Sequence, residues 1–123
     1  MRIPKIAIPA VSAVAIVMSG SFLNIPAATA AEASAIDEGK KIAFNRKKGN
    51  CLACHAIAGG KLPGNIGPPL EGMKDRFPDK SALKAQIYDA TTNNPNSIMP
   101  PFGKHNILTK KELDKVVEFI HSL

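Results

Sequence analysis

The chain has 123 residues, 45% of them hydrophobic and 21% charged, with a formal net charge of +6. That length admits one small domain and excludes a barrel scaffold, which needs roughly 200 residues or more. The averages hide two unlike pieces. Residues 1–30 carry no acid and only Arg2 and Lys5 as charges, so 31–123 keeps a net charge of +4. This second piece has no Trp and only Phe44, Phe77, Tyr88, Phe102 and Phe119 as aromatics. Domains of this size bury only roughly 60–65% of their unfolded surface and often need a staple, a metal or a cofactor. Composition alone therefore asks what else fills the centre.

The first piece opens with Arg2 and Lys5, runs through an apolar stretch over 6–18, and reaches small residues at Ala28-Thr29-Ala30. A basic start, an apolar middle and an A-x-A site match a secretory signal peptide. The expected division is 1–30 as a cleaved signal peptide, cut before Ala31, and 31–123 as the working domain. The competing reading is an uncleaved membrane anchor, since 6–31 is uncharged and a span needs ~20 residues. Gly20, Ser21, Asn24, Pro26 and Thr29 make its second half a poor lipid-facing helix. Either way the rest of the chain is exported, and a membrane partner enters only if the segment stays.

The first helix is expected from Ser34, whose spacing to Asp37 resembles a capping box. It runs through Lys48 and stops at Gly49. Its Lys40, Lys41, Arg46, Lys47 and Lys48 could steer an acidic partner or form a solvated face. No nucleic-acid partner is expected.

Next comes Cys51-Leu52-Ala53-Cys54-His55, the strongest signal in the chain. C-x-x-C-H is the attachment sequence of haem c. Two thiols three positions apart at a helix start reach both vinyl groups of one porphyrin. The histidine that follows lies under the iron as its proximal ligand. Three other readings compete. A disulfide is possible in an exported protein. A thioredoxin-like motif expects a βαβ context, and no alternating strand pattern is present. A zinc site needs about four ligands, and only His105 and His121 remain beyond the motif.

Residues 59–72 contain eight Gly or Pro, and loops of that length in a compact domain wrap something functional. Within them lies Gly67-Pro68-Pro69-Leu70. A proximal histidine donates its second ring N–H to a carbonyl that fixes its orientation, and Pro68 is the candidate acceptor. An ordinary Pro-rich turn is the plainer alternative.

The second helix is expected from Lys80 to Thr91, with Asp79 as N-cap and Leu83, Ile87 and Ala90 on one face. The segment 93–106 then carries Met99 in Ile98-Met99-Pro100-Pro101-Phe102-Gly103. Candidates for the second axial ligand are Met73, Met99, His105 and His121. Met73 reads as packing and His121 as solvated. Met99 is favoured over His105, because the two prolines after it form a stiff support and a thioether is a weak ligand that must be held. His/Met ligation fills both axial positions and raises the potential relative to bis-His ligation. It points to electron transfer rather than catalysis at iron. The last helix takes Thr109 as N-cap and Glu112 as its capping-box partner. Leu113, Val116, Val117 and Ile120 form its apolar stripe. The fold class is all-α, with three to four helices and long loops around one covalently bound haem c.

Taken in order, Gly39, the C-x-x-C-H motif, Gly67-Pro68-Pro69-Leu70, the late methionine and a terminal helix resemble class I cytochrome c. The resemblance implies that Gly39 and an aromatic near Phe44 pack against the last helix. More specifically, 49–56, 63–70, 85–90 and 94–103 resemble the SoxX family of monohaem cytochromes. This implies a periplasmic subunit that forms a heterodimer with a SoxA-type cytochrome. In that family the complex couples thiosulfate to a cysteine of the carrier SoxYZ, as an L-cysteine S-thiosulfotransferase. The His/Met haem takes the electrons and passes them to a soluble cytochrome c. Substrate chemistry is expected on the SoxA partner, and both cysteines of this chain are already used by the haem. The alternative is a free-standing periplasmic class I cytochrome c that carries electrons between other partners.

Overall fold

The computed structural model describes residues 27–123, and the expected signal peptide lies outside them except for its last four positions. Four α-helices follow in order: α1 (Ala27–Phe44), α2 (Met73–Arg76), α3 (Lys80–Tyr88) and α4 (Lys110–His121), with single 3₁₀ turns at Cys51–Ala53 and Ala90–Thr92. Among the described residues there is no named strand; one parallel bridge joins Ile57 to Leu70. None of the described helices is long and apolar enough to cross a membrane.

Helix α1 starts earlier than the Ser34 box suggests. The run Ala27-Ala28-Thr29-Ala30-Ala31 consists mainly of the strongest helix former, and it carries the helix upstream. Ser34 therefore sits inside the helix, where its side chain bonds to Glu38 instead of capping. The far end also closes earlier than expected: α1 stops at Phe44 instead of running through Lys48, and 46–49 form a turn. Asn45 N and Gly49 N both donate to the Ile42 carbonyl.

Helices α1 and α4 form the principal packing contact, with α3 laid against α4. Leu113, Val116, Val117, Phe119 and Ile120 are all buried, so the apolar stripe read from the sequence is the face α4 turns inward. Gly39 makes the close approach possible. A Cβ there would lie 2.0 Å from the Lys115 carbonyl oxygen and 2.9 Å from Phe119 Cβ. Phe44 meets Phe119 edge to face, with ring centroids 5.8 Å apart. Lys115 pairs with Glu38 across the same seam. The ion pair is exposed and screened by solvent, so it contributes little, whereas each buried large apolar side chain contributes roughly 1.5–3 kcal/mol. Apolar packing therefore holds this seam.

Helix α4 begins with the expected capping box: Glu112 N donates to Thr109 Oγ1, and Thr109 N donates to Glu112 Oε2. Lys48 reaches across from the turn that follows α1 to Glu112. Together Lys48 and Thr109 hold the Glu112 carboxyl down at about 2. One residue of the basic cluster is thus an ion-pair partner. A second, Lys40, lies 5.7 Å from the Phe44 ring centroid.

Helix α3 starts at Lys80 with Asp79 accepting from Ser81 N, as read from the sequence. It ends earlier than expected, at Tyr88. Asp89 is extended, and its side chain accepts from Thr91 N to begin the 3₁₀ turn. An aspartate that caps a new turn competes with continuing the old one.

Two predictions follow from this packing. Gly39→Ala gains about 1 kcal/mol in helix propensity but forces two backbones apart, at a cost of about 1–3 kcal/mol. The overlap is with backbone and therefore dominates, so chemical denaturation should show a net loss of stability. Glu112 has its folded pKa below the unfolded value of about 4.3, so its contribution is complete above that pH and lost as pH falls toward 2. The gap in denaturation midpoint between the parent and Glu112→Gln should be widest above about pH 5 and close by about pH 2.

Candidate functional site

A cavity of about 820 Å³ lies between the helices and the long loops, within the size range of a cofactor site. Cys51, Cys54, His55, Pro68 and Met99 all line it. The helices supply the apolar wall through Leu83, Ile87, Val116 and Ile120. The site residues come from the irregular segments between helices, which explains why those segments are long and have little regular structure.

The Cys-containing wall is built by a tight turn. Asn50 adopts a left-handed conformation (φ 48°) and leads into the 3₁₀ turn at Cys51–Ala53. This is a shorter element than the helix start expected for the motif. The His55 amide donates to the Cys51 carbonyl at 2.9 Å, so the turn brings the histidine round beside both thiols. No disulfide joins Cys51 and Cys54. Burial pushes the Cys51 thiol up to about 11. A thioredoxin-like pair expects a βαβ context, and the described residues around the motif form 3₁₀ turns, loops and helices with no named strand. Among the described residues no cluster of three or more His, Cys, Asp or Glu could hold a metal ion, which leaves the zinc reading without a site.

His55 is oriented from behind. Its Nδ1 lies 2.7 Å from the Pro68 carbonyl, in the arrangement that leaves the other ring nitrogen facing the cavity. Gly67 lets the segment come this close: a Cβ there would lie 2.4 Å from His55 Cε1 and 2.6 Å from Nδ1. Gly67 N also donates to the Cys54 carbonyl at 2.8 Å, and Leu70 N to the Ala56 carbonyl at 2.9 Å. Arg76 completes the support by donating from Nη1 to the Pro69 carbonyl at 2.8 Å. The sequence reading did not single out Arg76; it lies on α2, a one-turn helix entered through Gly72 at φ 57°. That glycine was the available signal.

The other ligand candidates separate clearly. Met73 lines the cavity too, but it is 2% exposed and belongs to the core, with its sulfur turned to within 3.3 Å of Arg76 Nη1. His105 is exposed and does not line the cavity. His121 also lies outside the lining. It is not simply solvated, because its Nε2 lies 3.1 Å from the Phe77 carbonyl. Met99 lines the cavity, is half-buried, and has its amide bonded to Ser97 Oγ at 3.3 Å.

An apolar cavity with two adjacent thiols, an oriented imidazole and a thioether in its lining has the donor set of a haem c site. Residues 34–120 match the family described as cytochrome c oxidase, cbb3-type, subunit III. The chain belongs to this family and is a haem protein of the electron-transfer class, carrying covalently bound haem c in a class I cytochrome c fold. It is similar to the crystal structure of SoxXA from P. pantotrophus, with a TM-score of 0.63 and 28% identity, covering 70% of this chain and 79% of that one. Motifs and structure agree on a SoxX-type monohaem cytochrome. An uncharacterized lipoprotein of Aquifex aeolicus (strain VF5) is 38% identical over 76 residues, which cover 61% of this chain and 37% of that protein. The match thus spans little more than a third of that curated relative.

Gly67→Ala tests the support behind His55. A methyl group there collides with the ring itself, so the variant should show disturbed haem absorption and reduced haem content in the purified protein, while α4 retains its helicity by circular dichroism.

Proposed function

We propose that this chain is the electron-accepting subunit of a periplasmic SoxAX-type complex. In this reading, residues 1–30 are a cleaved signal peptide and 31–123 is the cytochrome domain. A cut before Ala31 falls near the start of α1 and leaves 31–44 as the helix that packs on α4. Cys51 and Cys54 form the thioether tethers. His55 and Met99 are the axial ligands, and the Pro68 carbonyl orients His55. When bound, the haem supplies one-electron exchange between ferrous and ferric iron. The protein residues exclude water, hold both axial ligands in place and leave no open coordination position.

One observation carries this reading: His55, fixed by the Pro68 carbonyl, and Met99, on a separate loop, line the same cavity. With His55 and Met99 both holding the iron, a bound haem would offer a sulfur substrate no position, which supports electron transfer as the chain's task. The SoxXA likeness supports a SoxA-type cytochrome as the partner. Thiosulfate is then coupled on that partner to a cysteine of the SoxYZ carrier, and the electrons leave through this chain to a soluble cytochrome c. The sequence supports this division of labour, because the chain has two cysteines and both belong to the haem motif. A free-standing carrier with the same ligands is the second reading.

Met99→Ala should abolish the methionine–iron charge-transfer band of the oxidised protein and lower the reduction potential. An unchanged spectrum would remove Met99 from the coordination sphere. Purification from the native host should yield a second cytochrome subunit, and deletion should stop thiosulfate oxidation. A partner-free protein whose loss leaves thiosulfate oxidation intact selects the free-standing carrier.

A further inference from the structure

Asp89 is the one buried charged residue in the described chain, 7% exposed. A buried carboxylate is costly unless its oxygens are satisfied, and here both are. Oδ1 accepts from Thr91 N at 3.1 Å and from Thr91 Oγ1 at 2.5 Å, while Oδ2 accepts from Lys104 Nζ at 2.7 Å.

The pair's position is more informative than its chemistry. Two other cross-element pairs, Lys80–Glu118 and Lys84–Asp114, already tie α3 to α4 on the surface. Asp89–Lys104 joins no two helices. Asp89 follows the last residue of α3, and Lys104 stands where the chain leaves the segment 90–103. The backbone closes at the same place: Gly103 N and Lys104 N both donate to the Tyr88 carbonyl, at 3.1 and 3.2 Å. Everything between these two points is one loop, and that loop carries Met99.

Within the loop the bonds are local. Asn96 N reaches Asn94 Oδ1 at 3.1 Å, Met99 N reaches Ser97 Oγ at 3.3 Å, and Asn93 Nδ2 reaches back to Gln86 Oε1 at 2.8 Å. Such bonds stiffen the loop; the last refers it to α3, while at its far end Leu108 N donates to the Phe102 carbonyl and His105 N to the Pro101 carbonyl, both at 3.0 Å, beside the buried Phe102 ring. The two ends of the loop therefore decide where Met99 sits. Closing it at the base removes the freedom that a loop of this length otherwise keeps.

We infer that the Asp89–Lys104 pair is a clamp that holds the Met99 loop closed over the cavity, and that both are positioning residues for the sulfur ligand. This rests on Met99 as the second axial ligand. The loop then has two states, closed with Met99 in place and open with that position free. The clamp sets how often the open state occurs.

The test uses the intact holoprotein in its oxidised form, titrated with imidazole, which binds iron only where Met99 has left. The methionine–iron charge-transfer band is read alongside. An external ligand gains apparent affinity in proportion to the open fraction, so Asp89→Asn and Lys104→Gln should each bind imidazole about tenfold more tightly or better. The double variant should add little, since the two residues act as a unit. Lys104→Arg, which keeps the charge, should return the affinity to within about twofold of the parent. Asp114→Asn, which breaks a surface ion pair away from the loop, should leave it unchanged. Lys104 is more than half exposed at its side chain, so Lys104→Gln folds and carries the test if Asp89→Asn does not. Parent-like imidazole affinity in Lys104→Gln, together with a large gain in Met99→Ala, overturns the clamp and leaves the ligand assignment standing. A Met99→Ala protein with unchanged band and affinity overturns both.

Discussion

The centre of this domain is a cavity, and the rest of the fold is organised around it. With five aromatics in 31–123, the helices cannot meet across the middle. They pack at the periphery, α1 on α4 and α3 on α4, and turn Val116, Ile120, Leu83 and Ile87 toward a shared space of about 820 Å³. An apolar cavity of that size cannot persist as an unfilled core, because its lining loses dispersion contacts and the chain gains nothing for ordering itself. The haem supplies the missing apolar mass. Its covalent attachment makes that filling permanent, so stability and function depend on the same group.

Seen this way, the division between helices and loops follows from the chemistry each must supply. Helices are good at presenting apolar stripes, and the expected stripe on α4 is the buried one. Orienting ligand side chains needs unpaired backbone atoms and stiff approach angles, which helices do not offer, because their carbonyls and amides are already paired. The ligand segments are therefore rich in proline and glycine. Gly67 and Pro68 bring a free carbonyl to within 2.7 Å of His55 Nδ1, and Pro100-Pro101 stiffen the exit from Met99.

Much of this is legible from local signals. Asp79 and Thr109 cap the helices they precede, because capping is decided within four residues. Gly39 could be matched to a helix crossing because a missing side chain on an otherwise regular helix has few other uses. What escaped reading depended on partners distant in sequence or on competition between neighbours. Ser34 has the spacing of a cap, yet the alanine run before it outweighs that signal and α1 begins at Ala27. The periodicity of α3 continues to Thr91, yet Asp89 opens a new turn. Arg76 looks like any surface arginine until Pro69 is placed beside it. Asp89 and Lys104 are ordinary residues fifteen positions apart until the loop between them closes. Local rules carry the elements, whereas the supports behind the ligands are tertiary.

The proposed place in sulfur chemistry can be checked by electron balance. Joining a thiol to thiosulfate through a new sulfur–sulfur bond releases one proton and two electrons. In that reading a single haem, held between His55 and Met99, would take one electron at a time. One haem of this kind cannot complete the coupling alone: it must discharge between two steps, or share the pair with a second redox centre. The chain has no cysteine outside the haem motif to store the other electron or to hold sulfur. The reading therefore requires both a partner that makes the bond and an acceptor that empties this haem between turnovers. A lone carrier needs neither a fixed partner nor a second centre.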